Sequence, residues 1–197
     1  MILLPWRETI RRLPRVCLGL VLFGVGIAMM IAGDFGLGPW DVFHQGLSDV
    51  TGIGIGLVII IIGVVILAGF IPLRERAGVG TVLNAIMIGA TLAVVLPLFD
   101  TPGSTAARLS LTFGGPVLIA IGSGLYIGGG LGPGPRDGIM TGLARRGIPV
   151  WKARTGIEIS VLVAGVVLGG TIGVGTLWFA LGIGPMVGFF LPRLTVA

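Results

Sequence analysis

Along this chain the charged residues gather in clusters and the apolar residues fill the intervals between them. Five stretches contain no Asp, Glu, Lys or Arg: 16–33, 50–73, 77–99, 109–135 and 159–192. A helix needs about 20 apolar residues to cross a bilayer, with about 17–25 usual. Each stretch is long enough, and the last is too long for one crossing. Its interior segment GGTIGVGT (169–176) is a glycine-rich break, which predicts two helices there. The pattern therefore predicts an all-α integral membrane protein with six spans. They fall near 14–33, 52–72, 78–99, 107–130, 153–170 and 175–193.

Two polar phrases interrupt this pattern and resemble each other. GLGPWDVFHQGL occupies 36–47, and GLGPGPRDGIMTGLARRG occupies 130–147. A second pair, GVGTVLNAIMIG (78–89) and GVGTLWFALGIG (173–184), matches at a constant offset of 95. Two matches in the same order predict an internal duplication, with repeats 1–103 and 104–197 inside one membrane domain. Three spans per repeat is an odd number, so the second copy inserts upside down. Inverted-topology repeats of this kind are a construction principle of secondary transporters.

Composition narrows the class. Hydrophobic residues make up 54% of the chain and charged residues 11%, against about 25% charged in soluble domains. With a mean hydropathy of +1.08, a water-soluble globule is excluded. The net charge of +5 forms no basic stripe interleaved with aromatics, so no nucleic-acid partner is expected. With the N-terminus placed in the cytoplasm, 12 of the 13 basic residues lie at cytoplasmic ends or loops and only Arg108 lies outside. That asymmetry predicts both termini inside. The run after Arg7, Arg11, Arg12 and Arg15 is too long for a signal-peptide core, so a retained first helix is expected. The lone Cys17 supports neither a disulfide framework nor a zinc site.

The candidate chemistry sits in the repeated phrases. Gly38-Pro39 reads as a helix start, because proline's missing N–H costs nothing at the first helical position. The segment after it is too short to span. Asp41 falls in its first turn, where a carboxylate suits the positive helix end. Pro133 or Pro135, following Gly132 or Gly134, starts the matching element, with Arg136 and Asp137 in its first turn. These read as short broken helices whose N-termini face a central substrate site, although an acid at a helix start is equally a cap. His44 stands one turn after Asp41, beside Gln45, and Asn84 is an amide within the third span. Glu158 lies inside the fifth span with Arg154 one turn before it. Intramembrane carboxylates are costly and usually functional, so this pair is the candidate for proton coupling. Trp6, Trp40, Trp151 and Trp178 read as interfacial anchors.

The motifs GLGPWDVFHQGLS, IPLRERAGVGTVLNAIMIG, GLGPGPRDGIMTGLARR and GVGTLWFALGIGP together resemble the bacterial YczE membrane-protein family, a relative of the YitT and YyaS proteins. The resemblance runs from about residue 15 to 192, and the second Gly-Pro phrase is its most specific part. It implies a multi-pass protein of the bacterial inner membrane, of a kind often proposed as transporters, and adds weight to Asp41, Asp137, Arg154 and Glu158. The expected function is a secondary transporter of a small anionic or zwitterionic metabolite, held by Gly38, Asp41, His44, Gln45, Asn84, Gly132, Arg136 and Asp137. The alternatives are a channel and a non-transporting accessory protein. The expected partners are the lipid bilayer, the small-molecule substrate and a second copy of the chain in a homodimer. The chain has no nucleotide-binding motif, metal-ligand cluster or nucleophile–base pair, so neither an enzyme nor a bound cofactor is expected.

Overall fold

Charge at the N-terminus and glycine in the middle shape the first helix. α1 (Trp6–Gly33) starts well before the apolar run because Glu8 and Arg12, one turn apart, extend it with an ion pair of 3.6 Å. The structure, a computed structural model, describes residues 5–100 and 102–196. Among these residues every regular element is helical. After α1 come α2 (Pro39–Thr51), α3 (Ile55–Ala68), α4 (Phe70–Leu73) and α5 (Val79–Val95). A 3-10 turn (Leu96–Leu98) extends α5, followed by α6 (Thr105–Gly128), α7 (Pro135–Ala144), α8 (Val150–Val167) and α9 (Val174–Arg193).

Five of these units are long and apolar enough to cross a membrane: α1, α3 with α4, α5 with its 3-10 turn, α6 and α9. The sixth expected span, α8, has 18 residues but carries Lys152, Arg154 and Glu158 near its start. Length and apolarity alone therefore give five spans, and α8 differs from the others in its charge. The expected 52–72 span is kinked, with α3 passing into α4 at Gly69. The expected 78–99 span tightens into the 3-10 turn at Pro97, which cannot donate a helical hydrogen bond.

α1 and α6 form the centre, running antiparallel. A Cβ on Gly19 would stand 2.6 Å from the Gly122 carbonyl oxygen, and one on Gly122 would stand 2.5 Å from that of Gly19. Gly26 and Gly115 repeat the contact two turns away. Lipid supplies no hydrophobic force between helices, so close backbone packing of this kind is what holds them. α5 packs on α1 and α9 packs on α6. α3 lies against α5, and α8 lies against α2.

The chain crosses over itself in two matching places. The Gly80 N–H donates to the Leu131 carbonyl at 2.9 Å, and the Gly175 N–H donates to the Phe35 carbonyl at 2.8 Å. Each helix that starts with Gly-Val-Gly-Thr is thus tied to the Gly-Pro loop of the other half. Gly36 (φ 105°) and Gly132 (φ 126°) turn these loops in the left-handed region. A Cβ at either would meet the hydroxyl of Thr176 or Thr81 at 2.7 and 2.6 Å. Those hydroxyls accept the N–H of Gly173 and Gly78, at 3.2 and 3.0 Å. These ties set where α2 and α7 begin.

Candidate functional site

α2 and α7 start the same way. Gly38 and Gly134 hold extended backbone at the N-cap, followed by Pro39 and Pro135. Of the two prolines open at the second phrase, Pro135 starts the helix. Asp41 and Asp137 each stand third in their helices, and neither helix start has a side-chain cap hydrogen bond. The first turn of a helix leaves N–H groups without intrahelical partners. Here both helix starts border the same region.

That region is a cavity of about 230 Å³, far above the ~10–15 Å³ that one water requires. α2 contributes Gly38, Asp41 and His44 to its wall, α7 contributes Arg136 and Asp137, α5 contributes Asn84, and α8 contributes Arg154 and Glu158. The rest is apolar, with Phe23, Ile59, Ile88, Ile119, Phe179 and Ile183 among the side chains. Few polar groups in an apolar concavity is the usual make-up of a small-molecule site.

The charged groups bridge the two short helices. The Arg136 guanidinium of α7 lies 3.9 Å from the Asp41 carboxylate of α2 and 4.7 Å from the centre of the Trp40 ring. Asp41 is also 3.4 Å from His44 Nδ1. On the α7 side, the Tyr126 hydroxyl donates to Asp137 at 3.0 Å. Arg154 Nε donates to Glu158 at 2.9 Å, so the pair expected from the i, i+4 spacing forms. Three carboxylates and two guanidiniums therefore line one cavity. His44 is fully buried, and neither its Nε2 nor the buried Trp40 Nε1 has a partner among the described residues. Buried polar atoms of this kind are costly to leave unpaired.

Two of the expected site residues lie off this wall. The Gln45 side chain accepts the Thr171 N–H at 2.7 Å, which turns it toward the end of α8. Gly132 serves the loop, packed on Thr81. Three wall residues that carry a side-chain N–H or O–H were not expected there. Trp40, read as an interfacial anchor, instead stacks on Arg136 in the cavity; its place next to Pro39 in a helix first turn was the available signal. Tyr126, the single tyrosine of the chain, and Ser123 come from the middle of an apolar run, and no local pattern marks them. At the basic end, Arg145 pairs with Glu75, whose side chain is 7% exposed.

Helices of this length and apolarity define an integral membrane protein made wholly of helices among the described residues. The chain belongs to a family of unknown function (DUF6198), whose model matches residues 10–192. The chain is 37% identical over 182 residues to the uncharacterized membrane protein YczE of Bacillus subtilis, covering 89% of this chain and 83% of that one. It is 33% identical over 187 residues to an uncharacterized protein of Haemophilus influenzae, covering 94% of this chain and 86% of its relative. The resemblance to the YczE family is thereby shown. No solved structure matches the chain.

Proposed function

We propose that this membrane protein is a secondary transporter whose substrate sits between the N-termini of α2 and α7. The observation that carries the reading is the meeting of those two helix starts on one cavity, with Arg136 of one reaching Asp41 and Trp40 of the other. Broken helices that aim their positive ends at a midplane site are how many transporters hold a substrate. The matching ties Gly80–Leu131 and Gly175–Phe35 support reading the chain as six spans in two inverted three-helix repeats. In this reading α8 is the sixth span, both termini are cytoplasmic, and the protein lies in the bacterial inner membrane. Of anionic and zwitterionic substrates, the charges favour a zwitterion. Arg136 and the helix ends attract a carboxylate, while Asp41, Asp137 and Glu158 leave acid for an ammonium group. Glu158 is the group proposed to couple transport to protons, with Arg154 as its partner.

The test begins with thermal unfolding of the detergent-purified protein against amino acids, amines and carboxylic acids. A true ligand at 100 times its Kd stabilises by about 2.7 kcal/mol, and Arg136→Gln is expected to abolish that shift. Proteoliposomes then measure saturable uptake of the ligand under a pH gradient. Glu158→Gln is expected to keep exchange and lose gradient-driven accumulation. A panel that yields neither stabilisation nor uptake overturns the transporter in favour of an accessory protein, and large unitary currents would indicate a channel.

A further inference from the structure

The two halves match in their ties but differ in packing, most plainly where α3 meets α5 and α8 faces α9. At the end of the molecule bearing Asp49 and Asp100, α3 is closed onto α5. A Cβ on Gly56 would stand 2.5 Å from the Gly89 carbonyl oxygen, and one on Gly63 would stand 3.2 Å from the Ala85 Cβ. α3 begins at Ile55 and α8 at Val150, the same offset of 95 that relates Gly89 to Gly184 and Ala85 to Ala180. The corresponding contact would join α8 to α9 at the opposite, basic end. It is not made. α8 and α9 have no packing comparable to that of α3 and α5, and a Cβ on Gly184 would meet nothing within 4 Å. Gly184 instead lines the cavity, as do Arg154 and Glu158 of α8. Their side chains are 48% and 32% exposed, and Thr155 and Gly156 beside them are exposed as well. The far half of α8 is held, because Gly165 and Gly170 press on α2 at Phe43 and Val42.

We infer that the first half of α8 is the gate of the cavity: it closes on the Ala180–Gly184 face of α9 as α3 parts from α5. The inference rests on the transporter reading and adds to it the access route and the moving part. In the structure α3 is closed on α5 at the acidic end through Gly56 and Gly89, whereas Gly184 on the cavity wall is left uncovered by α8 toward the basic end. Exchanging the two arrangements between the halves turns the site to face the other way, as inverted repeats allow. The swap places Thr155 of α8 where Ile60 now stands against Gly89, so Thr155 and Gly184 come into contact in the alternate state. It also draws the Arg154–Glu158 pair over Ala180, out of reach of water from the basic end.

The experiment uses the full chain in native membranes with Cys17→Ser as background. Thr155→Cys and Gly184→Cys occupy open positions, and a disulfide between them requires Cβ atoms about 3.5–4.5 Å apart. Oxidation is expected to join them within one chain. Joining is expected to raise labelling of a third cysteine, Ala85→Cys, by an impermeant maleimide applied from the acidic end, by at least about tenfold. If Ala85→Cys prevents folding, hydrogen exchange over 55–63 in the double variant replaces it and is expected to rise on oxidation. The inference is overturned if both cysteines accept a maleimide singly yet never join, if they join only between two chains, or if joining changes nothing at the acidic end. Coupled closure without uptake in proteoliposomes would retract the transporter reading and leave the motion standing, so the two failures are distinguishable.

Discussion

At the scale of single residues, the cavity depends on side chains that hold each other in place. Tyr126 is 3% exposed and its hydroxyl donates to the Asp137 carboxylate. Hydrogen bonds to charged groups contribute about 1.5–3 kcal/mol, so Tyr126→Phe is expected to lower stability by about that much. Thermal unfolding of the purified variant checks this, and an unchanged melting temperature would mean that the hydroxyl is not needed by Asp137. How far these residues could be read beforehand follows from locality. Asp41, Arg136 and Asp137 were legible because proline fixes the helix start and places each residue within its first turn. Arg154 and Glu158 were legible from their i, i+4 spacing. Tyr126 was not, because its partner lies eleven residues on, beyond a turn whose direction only the tertiary ties decide. Gln45 was misplaced for the same reason: its partner, the Thr171 N–H, belongs to the opposite half of the chain.

Among elements, glycine divides the helices into faces that are closed and faces that are open. Gly122→Val would drive its branches into the Gly19 carbonyl, and overpacking a tight contact costs about 1–3 kcal/mol. Gly188→Ala meets nothing within 4 Å and gains helix propensity of about 1 kcal/mol. The two substitutions are expected to shift the melting temperature in opposite directions, and a loss of stability in Gly188→Ala would show that this face of α9 is packed in the membrane. Hydropathy located the helices to within a few residues at most ends, since length and apolarity are local properties. It missed the first turns of α1, where the gain comes from an ion pair and from Arg12 and Arg15 reaching the carbonyls of Gly129 and Leu194. It also could not tell a closed glycine face from an open one, because the same residue serves both.

For the whole molecule, the repeated phrases were visible in the sequence and their use was not. The paired phrases foretold two similar loops, while their reciprocal ties depend on a chain path that no repeat reveals. Those ties carry a consequence for biosynthesis. When α5 leaves the ribosome, the Leu131 carbonyl that will receive its Gly80 N–H has not yet been translated, and Phe35 waits in the same way for Gly175. The first half therefore cannot complete itself, and the nascent product is an unfinished fragment until the second half arrives. Each part still carries its share of both ties. Genes encoding residues 1–100 and 102–197 separately, expressed together with an affinity tag on one, are expected to yield the two polypeptides co-purifying, while either alone is degraded or aggregates. Recovery of a monodisperse first fragment on its own would show that the reciprocal ties are dispensable. Co-purification would instead make covalent continuity a convenience of translation, with complementation between the fragments carrying the fold.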